Sequence, residues 1–261
     1  MQAFRHHDSL IHFDFERADP AKPTLVFVNS LGTDFRIWDQ VRSALTGHYS
    51  LVFHDKRGHG LSTLGTAAHK IETYAEDVAA LIEHLGFTNV VMVGLSVGGL
   101  IAQALYHARP ELVSKLVISN SAVRLGSHDS WSQRIAAVTA GGTASIADAI
   151  MKVWYSPAFH IAHPNQVAMS HTMLTRTDRD GYIACCEALR DCDYTPQAAH
   201  IKVPTLFVGG DLDGSTPPDL VEASSKLMPS AKFHLLARCA HIPSVEQPTE
   251  FVRVLSNFAS A

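Results

Sequence analysis

A serine, a carboxylate and a histidine together perform acyl transfer, and the chain offers one arrangement of the three that can be tested against its own pattern. Ser96 lies in Val93-Gly94-Leu95-Ser96-Val97-Gly98-Gly99, a G-x-S-x-G sequence between the apolar run Asn89–Val93 and the helical pattern 100–106. A strand that turns sharply into a helix holds such a serine exposed and strained, and glycines on either side let neighbouring backbone come close. The start of the following helix adds partial positive charge and free N–H groups for an anion. A serine hydroxyl at neutral pH needs a base, and an imidazole base needs a carboxylate to fix its tautomer and stabilise its charged form. In a strand-turn-helix nucleophile of this kind the three follow in the order serine, acid, histidine, with acid and histidine in loops after later strands.

Both arrive in that order. After the strand pattern 205–208 comes Gly209-Gly210-Asp211-Leu212-Asp213-Gly214-Ser215-Thr216-Pro217-Pro218, and after 232–236 comes Cys239-Ala240-His241-Ile242-Pro243. Asp211 directly follows its strand and is suited to bonding the turn's own amides. Asp213, deeper in the loop, is the better acid. His234 falls inside a strand pattern, which leaves His241 as the base. The oxyanion of acyl transfer needs donors, one being the backbone N–H of the residue after the nucleophile, Val97. A second is expected from Val28-Asn29-Ser30-Leu31-Gly32-Thr33, where Leu31 is the choice because a backbone donor tolerates any side chain.

The elements that must hold these residues are legible as alternating apolar runs and helical patterns. Residues 4–7 and 11–16 read as a hairpin. β-branched apolar runs follow at 24–28, 50–53, 89–93, 115–118, 205–208 and 232–236, which fits strands buried on both faces. Between them lie helical repeats such as 71–85, closed by Gly86. The pattern predicts a mostly parallel α/β sheet with helices on both faces. Between residues 121 and 202 no strand is evident, and helices are expected at 131–140, 146–154, 165–174 and 180–189. The expected organisation is a core formed by 1–120 and 203–261 and a helical cap formed by 121–202.

Composition narrows the partners. With Lys+Arg 21 against Asp+Glu 25, the net charge of −4 excludes a dedicated nucleic-acid or anionic-membrane binder. The N-terminal residues show no apolar segment with a small-residue cleavage site, so a cytoplasmic protein is expected. Four cysteines, two of them adjacent, form no evident disulfide or zinc framework. Sixteen histidines invite a metal reading, but His6-His7 and the pair His160 and His163 lack carboxylate or cysteine partners at metal spacing, and no metal is expected. Lys56, Arg57 and His59 form a small basic cluster, for which a structural turn is the expected role.

These motifs, together with His54-Asp55-Lys56-Arg57-Gly58-His59-Gly60-Leu61-Ser62 and Ala240-His241-Ile242-Pro243-Ser244-Val245-Glu246-Gln247-Pro248, resemble those of the α/β-hydrolases. Asn29-Ser30 and the Asp55–Gly60 segment make the chain similar, within them, to the 3-oxoadipate enol-lactonases of aromatic catabolism. The resemblance implies opening of an enol-lactone to 3-oxoadipate by Ser96, His241 and Asp213, on a small-molecule substrate and with no cofactor. It leaves open a carboxylesterase, a C–C bond hydrolase, a perhydrolase, or a receptor for a butenolide-like ligand. Such a substrate carries a carboxylate, and burying it unpaired is costly, so a cation is expected in the cap. Arg124, Arg134, Lys152, Arg176 and Arg190 are candidates, with Arg134 favoured beside Trp131. Trp131 and Trp154 are expected to wall the pocket.

Overall fold

The computed structural model describes residues 1–261. Eight strands, β1 (Gln2–His6), β2 (Ser9–Glu16), β3 (Thr24–Val28), β4 (Ser50–His54), β5 (Val90–Leu95), β6 (Val113–Ser119), β7 (Thr205–Gly210) and β8 (Ala231–Leu236), form one sheet in the order β1-β2-β4-β3-β5-β6-β7-β8. The strands from β3 to β8 run parallel, while β2 is antiparallel to β1 and β4. The hairpin turns at His7-Asp8, where His7 takes a φ of 51°. Every residue of β3, β4 and β5 is buried. Successive side chains of a strand point to opposite faces, so both faces of the sheet are covered, as the continuous apolar runs predict.

The helices are α1 (Asp39–Leu45), α2 (Ile71–Leu85), α3 (Val97–Ala108), α4 (His128–Gly141), α5 (Ala147–Trp154), α6 (Pro157–Ala162), α7 (Pro164–Thr175), α8 (Arg179–Arg190), α9 (Pro218–Ser225), α10 (Pro243–Glu246) and α11 (Pro248–Ser260). In α2 the residues Tyr74, Val78, Leu81, Ile82 and Leu85 are buried together, and Gly86 ends the helix at φ 67°. There the amides of Gly86 and Phe87 donate to the carbonyls of Glu83 and Ile82.

Five helices, α4 to α8, lie between β6 and β7, in the stretch where no strand is evident in the sequence. They meet the strand-end loops through glycines. A Cβ at Gly32, whose φ is 74°, would stand 2.5 Å from Leu174 Cδ1 and 3.0 Å from Tyr182. One at Gly58 would stand 2.5 Å from the backbone of Gly181 on α8. The short helix α6 has no counterpart in the sequence reading. Ser156 caps it by accepting from the Phe159 amide, with Pro157 at its first position, a Ser-Pro start that was the available signal.

Candidate active site

Ser96 stands between the end of β5 and the start of α3, with φ 57° and ψ −119°. That backbone is strained for any residue with a Cβ, and the surroundings enforce it. A Cβ on Gly94 would lie 2.2 Å from the Gly98 carbonyl oxygen, and one on Gly98 would lie 2.2 Å from that of Val28. The turn is therefore wedged against its own helix and against the end of β3. The Ser96 amide donates to the Ser119 carbonyl at 2.9 Å, which ties the serine to the end of β6.

Asp213 and His241 come together from the loops after β7 and β8. His241 Nδ1 lies 2.8 Å from Asp213 Oδ2, and the two residues are 2% and 4% exposed. Asp213 Oδ1 accepts the amides of Ser215 at 2.8 Å and Thr216 at 2.9 Å, and Oδ2 also accepts Asn120 Nδ2 at 2.9 Å. Burial works to raise this carboxyl, but the His241 charge and these hydrogen bonds outweigh it and hold Asp213 below the usual carboxylate range. Asp211 takes the other role, with Oδ1 accepting the Cys239 amide at 3.1 Å. His234 lies on β8, half-buried, with Nε2 3.9 Å from Glu250.

The loop bearing His241 is clamped from two sides. Its amide donates to the Trp154 carbonyl at 3.1 Å, and Glu246 accepts the amides of Ala240 at 2.9 Å and Ser156 at 3.2 Å. The Ser96 hydroxyl makes no hydrogen bond to the imidazole. The Leu31 amide makes no hydrogen bond within the chain, and Val97 is the first residue of α3, where amides lack an intrahelical acceptor. The parallel register of Val28 with Gly94 sets the loop after β3 beside the serine turn.

Sequence reasoning missed Asn120. It follows β6 with φ 46°, and its Nδ2 joins Asp213 and the Ala240 carbonyl, at 2.9 and 3.0 Å. An asparagine just past a strand, flanked by Ser119 and Ser121, was the available signal.

Arg134 is half-buried, and its guanidinium donates to Tyr182 Oη at 3.2 Å. Tyr182 in turn packs on Gly32, so Arg134 reaches the neighbourhood of the Leu31 loop through one side chain. Trp131 is half-buried and donates its indole N–H to the Leu125 carbonyl at 2.6 Å, and Trp154 is buried. The other cations are placed differently: Arg124 pairs with Asp193, Arg190 pairs with Asp191, and Lys152 is exposed. Arg176 lines a cleft of about 920 Å³ between α7 and the loop after β3, together with Phe35, Arg36, Met169 and Met173. None of Ser96, Asp213 and His241 lines that cleft. The hydroxyls that line it, those of Ser170, Thr172, Thr177 and Ser244, make no hydrogen bond to a histidine or a carboxylate.

The basic cluster is internal. Arg57 grips Asp77 with two hydrogen bonds of 2.7 Å, and Asp55 accepts the Phe35 and Leu61 amides, both at 2.9 Å. His160 Nε2 lies 3.0 Å from the Met151 carbonyl, and no group of three or more His, Cys, Asp or Glu side chains stands where it could hold a metal ion. All four cysteines are unpaired, and burial raises the thiols of Cys185, Cys186, Cys192 and Cys239. No helix is long and apolar enough to cross a membrane.

This sheet and this serine turn define a class. The chain belongs to the α/β-hydrolase family, whose alpha/beta hydrolase fold matches residues 23–248. Among characterised relatives, it is 31% identical over 246 residues to 3-oxoadipate enol-lactonase 2 of Acinetobacter baylyi, covering 93% of this chain and 90% of that protein. Enol-lactonase 1 of the same organism is 30% identical over 239 residues, covering 92% and 89%. The crystal structure of the enol-lactonase from Burkholderia xenovorans superposes with a TM-score of 0.92 at 29% identity, covering 97% of each chain. The pimeloyl-[acyl-carrier protein] methyl ester esterase of Vibrio cholerae is 28% identical over 246 residues, covering 90% of this chain and 94% of that protein.

Proposed function

We propose that the protein hydrolyses 3-oxoadipate enol-lactone to 3-oxoadipate, through a covalent acyl-enzyme on Ser96. The observation that carries this reading is the His241–Asp213 pair at 2.8 Å, in loops beside the strained Ser96 turn, in a chain similar to two enol-lactonases over nine-tenths of its length.

In this mechanism His241 takes the Ser96 proton as the serine oxygen attacks the lactone carbonyl, and Asp213, held ionised by its four donors, stabilises the imidazolium. The oxyanion sits between the amides of Leu31 and Val97, and the positive end of α3 adds to its stabilisation. Collapse of the tetrahedral intermediate breaks the ring C–O bond and returns the electron pair to the enol oxygen, which takes the proton from His241. The enol then becomes a ketone, which makes ring opening hard to reverse. Water, deprotonated by His241, attacks the acyl-enzyme and releases the acid. The cycle needs no cofactor or metal.

Arg134, steered by Tyr182, is proposed to pair with the substrate carboxylate, with Trp131 and Trp154 supplying apolar wall. Residues 121–202 act on this reading as a cap over the strand ends, on a core of 1–120 and 203–261. The setting is cytoplasmic.

Loss of the enol-lactone ultraviolet absorbance is the test, run beside simple carboxylic esters. Wild type should turn over the lactone with the highest kcat/KM, and Ser96→Ala should fall by several orders of magnitude. A Ser96→Ala variant as active as wild type overturns the mechanism, and a strong preference for the esters replaces the lactone by an ester substrate.

A further inference from the structure

Lys56 is the second residue after β4 and is 1% exposed, with no carboxylate in ion-pair contact. Its ammonium donates to the Ser30 carbonyl at 2.5 Å and lies 3.4 Å from that of Thr33. A buried cation without an ion-pair partner is expensive. Desolvation draws this one down to about 8, against the smaller opposing pull of Cys185, Asp55 and Asp34, so it is still charged at neutral pH. Hydrogen-bond satisfaction does not account for it. The Ser30 carbonyl already accepts the Thr33 amide at 3.3 Å and the Thr33 hydroxyl at 2.9 Å, and the Thr33 carbonyl already accepts Asn29 Nδ2.

The Ser30 carbonyl shares a peptide plane with the Leu31 N–H. In a planar trans peptide the two point in opposite directions. A donor that fixes the carbonyl therefore fixes the direction of the N–H, and a positive charge behind the oxygen polarises the amide toward donation. The Leu31 N–H is the end left without a partner, in the loop that the β3–β5 register sets beside Ser96.

We propose that Lys56 is a positioning residue for oxyanion stabilisation: from the buried side it holds and polarises the Ser30–Leu31 peptide, so that the Leu31 amide faces the oxygen that becomes negative on Ser96. The proposal rests on the reading of Ser96 and Leu31 given above. It assigns to a side chain that never touches substrate an effect confined to the charged, tetrahedral state.

The test compares Lys56→Met, which keeps length and removes charge and donors, with wild type. Two inhibitors of similar shape are measured: butylboronic acid, which forms an anionic tetrahedral adduct on the serine, and butyrate, which does not. In Lys56→Met, kcat for p-nitrophenyl acetate and affinity for the boronic acid should fall together, by about tenfold to a hundredfold. Butyrate inhibition should change less than twofold. Thr33→Val removes an uncharged donor from the same carbonyl and should lose several-fold in the same two readouts, which decides the matter if Lys56→Met does not fold. The proposal is overturned if either folded variant binds the boronic acid as wild type does, or if butyrate binding weakens by the same factor as boronic acid binding. Ser96→Ala separates the two levels: if it retains activity, the reading of the site has failed, whereas its inactivity beside an unaffected Lys56→Met discards only the lysine.

Discussion

Asp213 has no idle lone pair: one oxygen faces the Ser215 and Thr216 amides, the other His241 and Asn120. A carboxylate so surrounded stays ionised and holds the imidazole in one orientation. Asp213→Asn keeps the shape but loses the charge that, in the proposed mechanism, stabilises the imidazolium, and kcat should drop by roughly 10³- to 10⁴-fold. Asn120→Ala removes one donor from a buried charged acceptor and should cost about 2 kcal/mol in urea unfolding, with kcat falling more than KM changes. The chain order and strand-end placement of Ser96, Asp213 and His241 are legible because their residue types follow one another in a fixed order after apolar runs, and the structure pairs Asp213 with His241. The contacts of Asn120 and Lys56 are not, since their partners lie 93 and 26 residues away, which no local spacing reports.

At the scale of elements, the sequence pattern located all eight strands, most directly β3, β4, β5 and β7, because strands buried on both faces carry an uninterrupted apolar signal; β8, expected among them, is instead partly exposed at the edge of the sheet. The helices between β6 and β7 were found to within a few residues, apart from α6, whose six residues are too few to show a period. What a sequence does not display is the clearance between elements. The Ser96 turn exists because Gly98 lets the Val28 carbonyl approach, and a Cβ there would sit 2.2 Å from backbone that cannot move aside cheaply. Gly98→Ala should therefore destabilise by on the order of 3 kcal/mol and displace the serine, losing activity even in the folded fraction. Thermal unfolding together with kcat on the soluble protein checks both parts. A variant with wild-type melting and rate would show that the wedge does not hold the turn.

For the whole molecule, four of the sixteen histidines are built into the fold. His6 bonds Asp77 at 2.8 Å and His12 bonds Asp55 at 2.8 Å, tying the N-terminal hairpin to the loop after β4 and to α2. His54 and His59 are buried and neutral: burial, with Lys56 adding to it, lowers His54 to about 4 and His59 well below its usual value. For a base lowered in the folded state, the unfolded chain takes up the proton first. Stability is then unaffected above the unfolded value near 6.5 and declines as pH falls from there toward 4. His54 alone should contribute about 3 kcal/mol to that decline. Urea unfolding between pH 7 and 4.5 should show it, and His54→Gln should flatten the profile. An unchanged slope in that variant would mean His54 is not kept neutral by the fold.

The chemistry of a lactone gives the proposed mechanism a direct signature. An ester loses its alcohol when it acylates a serine, whereas the leaving oxygen of a lactone stays tethered to the acyl group. An acyl-enzyme formed from the enol-lactone thus retains every atom of the substrate. Wild type and Ser96→Ala are mixed with 3-oxoadipate enol-lactone, quenched in acid during turnover and weighed intact by mass spectrometry, with the adduct mapped by proteolysis. The predicted result is a wild-type species heavier by one whole lactone, labelled on the peptide containing Ser96 and absent from Ser96→Ala. An adduct on another residue, or lactone turnover that persists in Ser96→Ala, would contradict it.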